Sequence, residues 1–229
     1  MDYFQKTDSF ISGDKGYSAP YRRICITDRR MVRGDLAEQI RRICSPEMAP
    51  DLRPDAVILR EKDLDFDAYS RLADQIRPVC ESFGIAFLWH TYYPKITGAG
   101  DAPDFCSEGG GAPQTSRAMV HFPMPVLRTL DPEVKSRISL IGASAHSAEE
   151  AEEAARLGAD YITVSHIFPT LCKPGLAPRG LQLIRDARRA VDIPIYALGG
   201  VHPENIAQCI EAGADGICMM SEYMNFGQS

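Results

Sequence analysis

YITVSHIFPTLCKPGLAPRGLQLIRDARRAVDIPIYALG, residues 161–199, decides the fold. Two short apolar runs, YITVSHI (161–167) and IPIYALG (193–199), flank GLQLIRDARRAV (180–191), whose apolar residues recur at helical spacing. Strands separated by a helix cannot form a hairpin, so the unit predicts a parallel crossover. The same alternation extends in both directions. ICITD (24–28), AVILR (56–60), IAFLWH (85–90), AMVHF (118–122), ISLIGAS (138–144) and GICMMS (216–221) complete eight strands. DAYSRLADQIRPVCESF, AEEAEEAARLGA and PENIAQCIEAGA supply further helices. Eight such units in 229 residues favour an α/β chain folded as a single (β/α)8 TIM barrel over an open sheet, since closure leaves no edge strand.

Domain limits follow from composition. Residues 1–20 are polar, contain glycine and end at Pro20, so they are expected to be an N-terminal arm; residues 21–229 form the barrel domain. Residues 94–117 are rich in Gly, Pro, Ser and Asp where a helix belongs, which predicts an irregular loop after the third strand, either a lid or a plain connection. The chain stops eight residues after Ser221, so the last helix is expected to be truncated. Uncovered apolar barrel surface there would call for the arm or a homo-oligomer.

Hydrophobic residues at 45% and charged residues at 24% are ordinary for a globular protein. A net charge of -6 with no basic stripe argues against nucleic acid and acidic membrane surfaces, and no apolar run spans a bilayer. Seven scattered cysteines without a CxxC pair, and no signal-like start, point to a reducing cytoplasm. The expected partner is a small phosphorylated molecule.

In such barrels the site lies where the strands end. His90, His121, His146 and His166 fall at or just beyond the ends of the third to sixth strands; Asp28 and Arg60 close the first two. Three imidazoles can ligate zinc, but no HxH or HExxH spacing supports that, so no metal site is assigned. ALGGV (197–201) and GICMMS follow the pattern of a phosphate cup, with Gly199, Gly200 and Ser221 as ligands, although a bare Gly-Gly also serves a tight turn. FPTLCKPGLAPRGLQ (168–182) places Thr170 and Lys173 near that cup, where the lysine would clamp an anion.

Together, ITDR (26–29), LREK (59–62), GASAHSAEEA (142–151), GADY (158–161), IFPTLCKPGL (167–176), the Gly-Gly of ALGGV and GADGICMMS (213–221) resemble the thiamine phosphate synthase and TenI superfamily. For the synthase branch, the resemblance implies joining a hydroxymethylpyrimidine diphosphate to a thiazole phosphate, with Mg²⁺ on a diphosphate that leaves in a dissociative step. Arg60, Lys62, Ser144 and Lys173 would surround the diphosphate, and Gly200 and Ser221 would take the thiazole phosphate. The chain departs from that branch at the metal: an Asn-Asp pair is here His90-Thr91, a later aspartate is Val126, and a glutamine is Ile58.

SAHS (144–147) and SHIFPTLCKPGLAPRG (165–180) are similar to the TenI branch, the thiazole tautomerases. That resemblance implies metal-free proton transfer on a carboxythiazole phosphate. Histidine, ordinarily titrating at about 6.5, suits the task. The leading expectation is therefore an isomerase without a cofactor, with His146 shuttling the proton and His90 and His121 as further catalytic candidates. Arg60, Lys62, Ser144, His166, Thr170, Lys173, Gly199, Gly200 and Ser221 would bind substrate. A Mg²⁺-dependent transferase and a non-catalytic phosphate-ligand-binding regulator are the alternatives.

Overall fold

The computed structural model describes residues 22–91, 118–170 and 175–228. Eight strands close in sequence order into one barrel: β1 Arg22–Ile26, β2 Ala56–Ile58, β3 Ala86–His90, β4 Ala118–Pro123, β5 Ile138–Ala145, β6 Tyr161–Ser165, β7 Ile195–Leu198 and β8 Gly216–Met219. Every pairing is parallel, and β1 meets β8 from Arg22↔Gly216 to Cys25↔Met219. The (β/α)8 expectation holds.

Parity along the strands divides the core in two. Ile24 and Ile26, Ala56 and Ile58, Ala86 and Leu88, Tyr161, Tyr196 and Cys218 fill the barrel. Their neighbours Cys25, Val57, Phe87, Ile162, Val164, Ala197 and Ile217 pack outward against the helices. Both faces are buried, which is why the strands appear as continuous apolar runs instead of alternating ones. Gly142 of β5 makes room inside: a Cβ there would lie 2.1 Å from Cζ of Tyr161. The Tyr161 ring packs edge-on against Tyr196, with centroids 5.4 Å apart.

Helices cover the barrel at Phe66–Ser82, Ala148–Arg156, Gly180–Ala190 and Ile206–Glu211, as their periodicity predicts. A further helix, Leu36–Cys44, escaped the sequence reading although Asp35 caps it and Leu36, Ile40 and Ile43 form its buried face. Two four-residue helices, Met124–Leu127 and Pro132–Lys135, replace a long one after β4. Val126 sits in the first of these. The predicted arm at 1–20 and loop at 94–117 lie outside the described residues.

The last helix is indeed short, Ser221–Met224. Its consequence differs from the expectation. Tyr223 and Met224 are fully buried, and Nε2 of Gln39 donates to the carbonyls of Tyr223 at 2.7 Å and Phe226 at 3.0 Å. Among the described residues the exposed large hydrophobic side chain is Leu176, on the loop after β6 and far from that helix in sequence. Among the described residues, then, no large apolar side chain of this helix is left bare, and the reason given for a homo-oligomer does not arise from them. No helix among the described residues is long and apolar enough to cross a membrane.

Candidate active site

Continuing the inward parity past the strand ends builds the site. Ile58 leads to Arg60 and Lys62, Leu88 to His90, Met119 to His121, Gly142 to Ser144 and His146, and Tyr161 to Thr163 and Ser165. All of those later residues line one pocket of about 350 Å³. His166, Thr170, Gly199, Gly200 and Ser221 join them from β6, β7 and β8. Every site residue expected from sequence is thus brought together except Lys173, which lies outside the described residues. Arg30, Thr163, Ser165 and Met220 also line the pocket and were missed; for the last three, the two-residue step from Tyr161 and Cys218 was the available signal.

One side of the rim is charged. Arg60 and Lys62 enter from the end of β2, and Arg30 stands beside Asp28 with Nε to Oδ1 at 2.8 Å and Nη2 to Oδ2 at 2.7 Å. The Arg30 guanidinium holds the Asp28 carboxyl below the usual carboxylate range. This forked pairing occupies both carboxylate oxygens.

The opposite side is neutral. His121 lies with Nδ1 3.0 Å from the Tyr161 hydroxyl and Nε2 2.8 Å from Oγ of Ser144. Burial, aided by the charge of Arg60, pushes its pKa down to about 3. His90 stacks on it at 5.7 Å between centroids and is likewise lowered, by burial first and then by His121 and Arg60. At neutral pH both are uncharged hydrogen-bonding groups. This differs from the expectation that either would exchange protons near pH 7, because desolvation penalises the imidazolium.

His146 is placed otherwise. Its ring Nδ1 is 3.0 Å from the carbonyl oxygen of Ser165, to which it can donate, and 3.2 Å from the Ser165 hydroxyl. Its backbone N–H donates to Oε2 of Glu150 at 2.7 Å, tying the turn after β5 to the next helix. His166 is buried, with Nε2 3.4 Å from the Leu176 carbonyl.

The glycine cup has a steric reason of its own. Gly199 and Gly200 have φ of +93° and +66°, and added Cβ atoms would lie 2.3 Å from Cβ of His166 and 2.5 Å from the Pro169 carbonyl oxygen. The tight-turn reading therefore holds, and the same turn brings both residues to the pocket wall.

Magnesium prefers several carboxylate oxygens. Asp28 is the one carboxylate among the described lining residues, and Arg30 engages both its oxygens. Among the described residues no group of three or more His, Cys, Asp or Glu side chains is placed to hold a metal ion. The described donors do not fit a magnesium diphosphate.

A family model described as "Thiamine monophosphate synthase" matches residues 130–223. The chain is 32% identical over 203 residues to "Putative thiamine-phosphate synthase 2" of Aquifex aeolicus, covering 89% of this chain and 97% of that one. The chain belongs to the thiamine phosphate synthase/TenI superfamily. A second superfamily member, "Thiamine-phosphate synthase" of Syntrophomonas wolfei, is 30% identical over 90% of both chains. Among solved structures, "Thiamine phosphate pyrophosphorylase from Pyrococcus furiosus" superposes with a TM-score of 0.68 at 25% identity, covering 91% of this chain and 89% of that one. The names of these relatives favour the synthase alternative over the isomerase that the sequence reading put first.

Proposed function

We propose that the chain is a transferase of the thiamine phosphate synthase type, acting in thiamine biosynthesis by joining a pyrimidine diphosphate to a thiazole phosphate. The observation that carries this is a single pocket with anion-receiving groups on two sides: the Arg60 and Lys62 cations at the end of β2, and the Gly199, Gly200 and Ser221 cup at the ends of β7 and β8. The superfamily relatives named as synthases support the same reading. In it the thiazole phosphate rests in the cup. Arg60 and Lys62 receive the diphosphate and offset the charge that grows on it as the bond to the pyrimidine methylene breaks. The Ser144 hydroxyl, hydrogen-bonded by His121, presents a further polar group to the same oxygens. The thiazole nitrogen then forms the new bond.

A second reading, proton transfer on a carboxythiazole phosphate, is favoured by the place of His146 in the pocket wall, with Nδ1 against Ser165, and by the poor fit of the described residues to Mg²⁺. It uses the same cup, with Nε2 of His146 as the base and Arg60 holding the carboxylate. One experiment separates the readings. Purified protein is given the pyrimidine diphosphate and thiazole phosphate with and without Mg²⁺, and in parallel the carboxythiazole phosphate tautomer. Thiamine phosphate formation is the expected result; tautomer turnover without it replaces the transferase by the isomerase. Ligand binding with neither turnover leaves a regulator.

A further inference from the structure

ITDR and LREK each contain a residue with no place in the pocket. Thr27 and Glu61 occupy the opposite strand parity from Arg60 and Lys62, so they point behind the rim, where they are 0% and 2% exposed. Glu61 is a buried carboxylate between two pocket cations. Its Oε1 accepts from the Thr27 hydroxyl at 2.7 Å and from the Arg29 backbone N–H at 3.1 Å; its Oε2 accepts from Nη1 of Arg29 at 3.0 Å. Oγ1 of Thr27 in turn accepts the backbone N–H of Arg60 at 2.9 Å.

The direction of this chain is fixed by chemistry. An ionised carboxylate only accepts, so the single hydroxyl proton of Thr27 goes to Glu61, and a lone pair is left for the Arg60 N–H. The end of β2 is thereby bonded to the end of β1 at Arg60, the first of the two pocket cations. Past Ile58 the Leu59 N–H still donates to the Leu88 carbonyl at 3.0 Å and the Leu59 carbonyl accepts from the Tyr69 hydroxyl at 2.6 Å, and the Thr27 hydroxyl oxygen fixes the next residue, Arg60, from the β1 side. Oppositely charged Arg29 is itself held by Asp63 through two contacts of 2.7 Å, which keeps the Glu61 charge compensated.

We infer that Thr27 and Glu61 form a positioning pair that aims Arg60 and Lys62 at the anion in the pocket, an inference that rests on the reading of those cations as diphosphate ligands. Neither residue of the pair touches substrate. Their effect is on the entropy and direction of the cationic rim, and it should appear as anion affinity and substrate KM more than as kcat.

Calorimetric titration with inorganic diphosphate tests this on the full chain, with thermal melting as the check on folding. The wild type should bind and Arg60→Ala should bind much more weakly. Thr27→Val, which leaves the Arg60 N–H without an acceptor, and Glu61→Gln, which sets an amide N–H against the Arg29 donors, should each weaken binding about tenfold. The double variant should be little worse than either single one, because both act through one chain of bonds. Thr27→Ser keeps the hydroxyl and should restore binding. Simple charge summation predicts the opposite sign for Glu61→Gln, since removing a negative charge near the pocket would tighten an anion.

Diphosphate binding unchanged or tighter in Glu61→Gln, with Arg60→Ala still impaired, overturns the positioning role and leaves the pocket reading intact. No binding by the wild type, or equal binding by Arg60→Ala, overturns the pocket reading and the inference with it. Should Thr27→Val fail to fold, Glu61→Gln carries the decision.

Discussion

The rim over β1 and β2 and the rim over β4 to β6 face each other across one pocket, yet they are built from opposite materials. The first holds Asp28, Arg29, Arg30, Arg60, Glu61, Lys62 and Asp63, largely paired into forks and ion pairs. The second holds Ser144, Thr163 and Ser165 with the imidazoles of His121 and His146, joined by hydroxyl contacts. Solvent near the mouth tolerates charge on the first side, whereas the buried wall against Tyr161 admits only groups that can be satisfied while uncharged. The difference teaches that one pocket can combine a wall suited to receiving anions with a wall of hydroxyls and imidazoles suited to hydrogen bonding.

The largest effect should come from His146, at the end of β5. If proton transfer operates, His146→Gln should lower solvent-proton exchange into the carboxythiazole phosphate by about 10²- to 10⁴-fold while leaving diphosphate binding in place. Exchange at the wild-type rate removes His146 from the chemistry and leaves the neutral rim a purely orienting surface. At the charged rim, Arg60→Ala should reduce kcat/KM for thiamine phosphate formation by about a hundredfold, the loss of one charge-assisted contact of roughly 3 kcal/mol. A loss confined to the thiazole substrate would move the anion assignment to the other side.

Acid should attack the neutral rim first. His121 has a folded pKa of about 3, below the ordinary histidine value, so the unfolded chain takes up a proton that the folded chain refuses. Its contribution is intact above about pH 6.5 and is lost as pH falls toward 3, with a slope near 1.4 kcal/mol per pH unit. Because His90 is lowered as well, denaturant unfolding measured from pH 7 to pH 4 should lose stability at least this steeply, and His121→Asn should make the slope shallower by about this amount. An unchanged slope would mean that the neutral wall is less desolvated than its geometry implies. The smallest effect concerns the cup: Gly200→Ala meets Phe168 and Pro169 at a positive φ and should cost about 1 to 3 kcal/mol of stability, read as a lower melting temperature.

Legibility differed between these regions for a physical reason. His90, His121, His146 and Arg60 could be picked out because a polar residue at the end of an apolar run stands out against it, and strand parity carries it inward. Thr27 and Glu61 lay in motifs that were noticed, but their sequence gives no sign that their side chains meet 34 residues apart. The helix Leu36–Cys44 is written in the sequence through its Asp35 cap and apolar stripe, but no glycine closes it as one closes Phe66–Ser82 and Ala148–Arg156. The truncated last helix was legible; that Gln39 reaches across to secure it was not.

By itself, then, the sequence determined the number of strands, their parallel sense, the closed barrel and the ring of residues at its mouth, since periodicity and strand ends are local properties of the chain. Only the tertiary structure decided that burial lowers His90 and His121, that Nδ1 of His146 meets Ser165, that Asp28 is spent on Arg30, and that Thr27 and Glu61 bond to each other behind the rim cations. Those depend on burial and on distances between separate strands, quantities that exist only once the barrel has closed.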